Sequence, residues 1–422
     1  MMSVGGPLVI VGSGCAGVEL AFAVRQGGWT SPIVMVGDEK ELPYDRPPLS
    51  KAYMEEGAAA DSLVLRPLSS YKEAGVTLRL GVRVLHIDRA GHTLSLSDGT
   101  SLHYGKLALC TGGRPRLPAF RGMPEGAVPA NLHVLRTRDD ADGIRAALTP
   151  GVRLVVIGGG YVGLEIAAAA RKRGAKVTVL ESQPRVLARV TGAVMSDFYE
   201  RVHRREGVAI HTGVTVEGIR CDESGLVTAV LCGAAGEFPA DVLVVGIGME
   251  ANTALAEQAG LTVDGGILVD ELSRTSDPDI LAAGDCTVQD SVAYGRRIRL
   301  ESVPNAIEQA RAAASLLCGK PKPNRSTPWF WSNQYDLKLQ MVGLSHDHDG
   351  CVVRQAPGDD GPIAFYLRQG RLIAADAVNR PADFMMAKRM VAAQLKVDAE
   401  RLADPAVPLK DLLVASDLRK SA

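Results

Sequence analysis

An α/β chain with two doubly wound parallel sheets and a C-terminal α+β module is what these 422 residues predict, on three observations. Leu8 to Glu19 reads Leu-Val-Ile-Val-Gly-Ser-Gly-Cys-Ala-Gly-Val-Glu, a short β-branched run followed by glycines at 12, 14 and 17. Leu154 to Glu165 repeats that pattern 146 residues later, with glycines at 158, 160 and 163. The tail then changes texture, placing two of the three tryptophans in Pro328-Trp329-Phe330-Trp331 ahead of several alternating segments.

The first run reads as a buried strand and Val18 to Gly27 as the helix after it. Gly12 permits the tight turn, Gly14 lets a pyrophosphate approach the backbone, and Gly17 lets the helix lie close to the sheet. A second strand at Ile33 to Gly37 completes a βαβ unit. Gly37 stands where an acid for the adenosine ribose is usual, so Asp38 or Glu39 must serve. In Tyr44-Asp45-Arg46-Pro47-Pro48-Leu49-Ser50-Lys51 the prolines force extended backbone and Ser50 starts or caps a helix, with Lys51 on its first turn. Composition alone favours the other reading, a surface loop with a solvated lysine.

Val76 to Leu102 alternates around Asp98-Gly99 and predicts antiparallel strands with a tight turn. Lys106 to Arg114 predicts a further buried strand, and Pro115 and Pro118 mark a boundary. Arg153 to Glu181 is strand, second glycine set, helix from Leu164 to Arg173, and a strand ending in Glu181. Two complete units make both halves Rossmann-like and the chain a binder of two dinucleotides. Glu181 lies 18 residues beyond Gly163, near the offset of the acid that holds an NAD ribose and repels a 2′-phosphate. Arg185 and Arg189 pull the other way.

Further on, Ile280 to Asp285 ends in Gly-Asp, which suits a carboxylate offered to a polyol and equally an N-cap. Strands are expected around Leu337 to Met341, Gly350 to Val353, Ile363 to Leu367 and Leu372 to Val378, with a helix from Pro381 to Leu395. The Trp cluster reads as core or interface, with ligand stacking as the alternative.

Net charge is −1, which implies neither a nucleic-acid partner nor an anionic membrane. No secretory segment opens the chain, and the apolar tract from Leu154 to Ala170 is interrupted by four glycines and Glu165. Seven scattered cysteines without a CxxC pair favour the reducing cytoplasm. Cys15, at a helix start, reads as a packing residue more than as an activated thiol. His346-Asp347-His348-Asp349 lacks a separated ligand cluster, so no metal site is read there.

Arg-Pro-Pro-Leu-Ser-Lys at 46–51, Ala-Ala-Gly-Asp-Cys at 282–286, Glu-Ser-Val-Pro-Asn-Ala at 301–306 and Trp-Phe-Trp-Ser at 329–332 complete a pattern. With the paired glycine sets, it resembles the FAD-dependent NADH:ferredoxin reductases that serve oxygenases, within the glutathione-reductase-like flavoproteins. That resemblance implies an FAD domain at 1–115 and 249–325, an NAD domain at 116–248 and an interface domain at 326–422. It implies FAD contacts at Gly12, Gly14, Ala16, Gly17, Asp38, Lys51, Val84, Arg136, Asp285 and Val303, and NAD contacts at Gly158, Gly160, Gly163 and Glu181. It also implies that Lys51 lies by the flavin's reactive edge paired with Glu165, and that Trp331 shields the ring face away from the nicotinamide.

The activity so implied is hydride transfer from NADH to FAD, then single electrons to a [2Fe-2S] ferredoxin that supplies a monooxygenase or Rieske dioxygenase. Asp38 to Lys51 contains no cysteine, so no thiol waits there for two electrons. Arg297, Arg299, Arg311 and Lys338 are the expected landing surface for an acidic ferredoxin. Two other readings use the same fold: an NADH oxidase or monodehydroascorbate-type reductase, and a redox-responsive binding protein resembling apoptosis-inducing factor.

Overall fold

The computed structural model describes residues 6–55, 59–355 and 361–413. They form two units, one of Met1–Asp45, Ala60–Arg114 and Met249–Ser326, the other of Arg46–Ala59, Pro115–Gly248 and Thr327–Ala422.

In the first unit the strand Leu8–Val11 is fully buried and central to five parallel strands. Their order is Ile280–Ala282, Lys106–Leu109, Leu8–Val11, Ile33–Gly37 and Val76–Leu80. The helix Cys15–Gln26 buries Ala16, Leu20 and Ala21 in the same core as Ala306, Ala310 and Ala313 of the helix Val303–Leu317. Small side chains on both helices permit that close packing.

Two strand expectations are corrected here. Val76–Leu80 pairs in parallel with Ile33–Gly37, so the antiparallel sheet is only Val84–Asp88, Thr93–Leu96 and Ser101–His103. Val76–Leu80 is the edge of the parallel sheet and partly exposed, so it lacks the continuous apolar run of a buried parallel strand. The segment from Lys106 to Arg114 is two strands, Lys106–Leu109 and Gly113–Pro115, because Gly112 at φ +63° breaks the extension.

The second unit carries a parallel sheet ordered Ala209–Thr212, Lys176–Glu181, Arg153–Ile157, Val242–Val245 and Leu132–His133. Its helix Tyr161–Lys172 holds a run of buried alanines, Ala167 to Ala170. The same unit contains an antiparallel sheet in the order Trp329–Gln334, Leu337–Gly343, Arg371–Val378, Ile363–Arg368 and Gly350–Arg354. The helix Pro381–Ala392 covers it through Phe384, Ala387 and Met390. The architecture is therefore α/β with two Rossmann-like sheets and a C-terminal antiparallel sheet carrying helices. Among the described residues no helix is long and apolar enough to cross a membrane.

Candidate functional site

Each glycine set builds the same cradle. Gly12 sits at φ +113°, and a Cβ there would lie 2.1 Å from the Cys110 carbonyl oxygen. A Cβ on Gly17 would lie 2.2 Å from the Gly12 oxygen, so no other residue fits without moving backbone. Gly14 caps the helix in extended geometry with no side-chain cap, no acid follows in the first turn, and nothing lies within 4 Å of where its Cβ would be. In the second unit a Cβ on Gly158, at φ +108°, would lie 2.4 Å from the Gly246 oxygen, and one on Gly163 would lie 2.1 Å from the Gly158 oxygen. Gly160, again an uncapped extended residue, has nothing within 4 Å. Two helices thus open on space with their first N–H groups unserved by any cap, an arrangement suited to a pyrophosphate. The chain fits two dinucleotides on that geometry.

Around the first cradle, Gly37 is explained by Ser13, whose Oγ would lie 2.3 Å from a Cβ. The exposed Asp38 follows, 3.7 Å from the Arg83 guanidinium, while Glu39 accepts from the Tyr44 hydroxyl. A Cβ added to Gly284, at φ +90°, would lie 3.2 Å from the Ala16 methyl, which sets the next residue, Asp285, beside the helix Cys15–Gln26. The strand Thr287–Ser291 follows Asp285, so the N-cap alternative falls away. Val84 is buried, and Val303 opens a helix capped by Ser302. Burial, with Asp45, Glu19 and Asp285 adding to it, pushes the Cys15 thiol up to about 11, as suits a packing residue. All seven cysteines are free thiols.

Around the second cradle, the Glu181 carboxylate accepts the Gly159 and Gln183 N–H groups, each at 2.7 Å. Arg185 is committed to the Thr191 and Ala188 carbonyls and the Ser196 hydroxyl.

Lys51 does not stand on the first turn of a helix begun by Ser50. Pro47–Ser50 is itself a short 3₁₀ turn, favoured by prolines at its start, and Lys51 lies just past its end. Lys51 Nζ donates to the Pro47 carbonyl at 3.1 Å and to Glu165 Oε2 at 2.8 Å. Glu165, mid-helix in Tyr161–Lys172 and only 4% exposed, also accepts the Ser50 hydroxyl at 2.5 Å and the Ser332 hydroxyl at 2.6 Å. Trp331 precedes Ser332 in the strand and therefore takes the opposite face, its ring 5.7 Å from that of Trp329. The Arg136 carbonyl accepts Arg46 Nη1 at 2.8 Å.

Sequence reasoning missed Ser332, Gln334, His203 and Asp376, all buried and hydrogen-bonded. The available signal was a polar residue on a core-facing position, as where Asp376 interrupts Leu372 to Val378. The expected basic landing surface is largely offset: Arg297 pairs with Asp264 and Asp290, Arg299 with Glu301, and Arg311 with Glu19 and Glu308.

Fold and cradles together define an oxidoreductase scaffold for two nucleotides. Residues 6–310 match the family model of the pyridine nucleotide-disulphide oxidoreductases, and residues 329–413 match the reductase C-terminal model. The chain belongs to the pyridine nucleotide-disulphide oxidoreductase family, which implies FAD and NAD(P)H as cofactors. It is 46% identical to the putidaredoxin reductase of Pseudomonas putida, with 98% of each chain covered. It is 41% identical to the ferredoxin reductase subunit of 5,5'-dehydrodivanillate O-demethylase from Sphingobium sp., over 96% of this chain and 98% of that one. A crystal structure of the covalent putidaredoxin reductase–putidaredoxin complex is similar at a TM-score of 0.94 and 46% identity, over 98% of this chain and 99% of that one.

Proposed function

We propose that this chain is a cytoplasmic, NADH-dependent ferredoxin reductase that supplies single electrons to a [2Fe-2S] ferredoxin of an oxygenase system. The observation that carries the reading is full-length likeness to ferredoxin reductases, C-terminal module included, on a chain with two open cradles. Bound FAD supplies the chemistry that takes two electrons from a nicotinamide and releases them singly.

The chain's own residues bind and orient. Gly12, Gly14, Ala16 and Gly17 would hold the FAD pyrophosphate, Asp38 the adenosine ribose and Asp285 the ribityl chain, with Val84, Arg136 and Val303 as further contacts. Gly158, Gly160 and Gly163 would hold the NADH pyrophosphate. Glu181, already fixed by two backbone N–H groups, would take the ribose hydroxyls and disfavour a 2′-phosphate. Arg185, occupied by its own loop, offers that phosphate little. Lys51 supplies fixed positive charge for the redox end of the flavin, and Glu165 holds the lysine. Trp331 is assigned to the ring face away from the nicotinamide. The domain division proposed is 1–115 with 249–325, 116–248, and 326–422.

The test is anaerobic reduction of the yellow protein with NADH, followed by mixing with a panel of [2Fe-2S] proteins while their absorbance is recorded. Bleaching of an iron–sulfur spectrum with return of oxidised flavin is expected. A reduced protein that passes electrons only to a disulfide or to oxygen would overturn the reading.

A further inference from the structure

Glu165 and Lys51 form a pair whose side chains are only 3% and 14% exposed. Such a pair offsets the loss of its hydration only when the remaining lone pairs are also filled. Glu165 Oε2 has Lys51 and Ser50; Oε1 has the Ser332 hydroxyl. That hydroxyl has one hydrogen, and Gln334 Nε2, 3.0 Å away, donates to its oxygen. Gln334 is in turn oriented from its far end, where Oε1 lies 2.8 Å from His203 Nε2. Its reverse orientation would draw the Ser332 hydrogen away from Glu165 and set oxygen against oxygen.

His203, on the helix Ala193–Arg205, is fully buried, and burial holds its pKa down to about 4. A neutral ring has one hydrogen to give. Gln334 Oε1 can only accept, so that hydrogen sits on Nε2, and Nδ1, 3.0 Å from Tyr335 Oη, is left to accept the tyrosine hydroxyl. Every hydrogen from Tyr335 through His203, Gln334 and Ser332 therefore points toward Glu165.

We propose that His203 is a positioning residue for Lys51: through Gln334 and Ser332 it fixes the Glu165 carboxylate and with it the lysine charge. Neither ligand nor motif marks His203, which stands 38 residues beyond Glu165 in the chain. The inference depends on the ferredoxin-reductase reading only in its last link, that Lys51 serves the flavin.

The test is lysine-selective reductive methylation of the holoenzyme, with the rate at Lys51 read by mass spectrometry and the other lysines as internal references. Ser332→Ala should raise the Lys51 rate by about tenfold, for loss of a hydrogen bond to a charged group, and His203→Phe, which breaks the neutral bond to Gln334, by about fivefold. Their rate of flavin reduction by NADH in a single turnover should fall in parallel. His203→Gln, whose amide nitrogen can stand where Nε2 stands, should restore both values. A His203→Phe protein with Lys51 as protected as in the native chain would overturn the proposal, as would a His203→Gln protein no better than His203→Phe. Should His203→Phe not fold, Gln334→Leu decides by the same two readouts. A native protein that reduces no ferredoxin, yet gives this labelling pattern, would remove the functional reading and leave the positioning of Lys51 standing.

Discussion

Asp376 lies on the strand Arg371–Val378, 3% exposed, with no lysine or arginine paired to it among the described residues. Its Oδ2 accepts the Thr191 hydroxyl and, at 2.7 Å, the Tyr366 hydroxyl, which itself accepts the Gly192 N–H at 3.0 Å. Burial outweighs these two donors and raises its pKa from 3.8 to about 6. A proton is then held more tightly by the folded chain than by the unfolded one. Stability from this group is full below the unfolded value and is lost as pH rises through about 6. Two pKa units correspond to about 3 kcal/mol, of which about 2 kcal/mol falls between roughly pH 4.5 and 7.5. Asp376→Asn keeps an oxygen for both hydroxyls and cannot ionise. Calorimetry of both proteins at the two pH values should show the variant gaining about 2–4 °C in Tm on the native protein as pH rises. Other titrating groups are common to both proteins and cancel. A Tm difference that is the same at both pH values, or that moves the other way, would refute the assignment of a raised pKa to Asp376.

The cradle glycines and Glu181 give two more expectations. Gly163→Ala forces a methyl 2.1 Å from the Gly158 oxygen and should lower Tm, whereas Gly160→Ala meets nothing within 4 Å. The second variant should melt like the native protein yet bind NADH about tenfold more weakly, because the methyl enters the space before the helix N-terminus; unchanged affinity in a titration would show that the phosphates lie elsewhere. Glu181→Ala should raise the ratio of NADPH to NADH kcat/KM by about tenfold. A ratio that stays put would take Glu181 out of nucleotide selection.

The strand, glycine set and helix at Leu8 to Gln26, and again at Arg153 to Lys172, were legible because each depends on residues within a dozen positions. Turn chemistry, helical period and glycine spacing are local constraints, and a sequence displays them directly. Lys51 was identified by resemblance, yet its place past the end of a 3₁₀ turn was not, since Pro47 and Pro48 are compatible with either course of the backbone. Likewise Asp285 was balanced between cap and ligand on local sequence, the resemblance favoured the ligand, and the strand Thr287–Ser291 removes the cap.

The amino-acid order by itself determined two dinucleotide cradles, the glycine identity of their turns and a separate C-terminal sheet. Tertiary structure alone decided the direction of Val76–Leu80 and the neutralisation of Arg297 and Arg311. It alone brought Ser50, Ser332 and, through Gln334, His203 to the carboxylate that the resemblance had already paired with Lys51. The reason is physical: a buried polar group must find its partner in space, and nothing in the local periodicity of a chain records which distant segment will bring that partner.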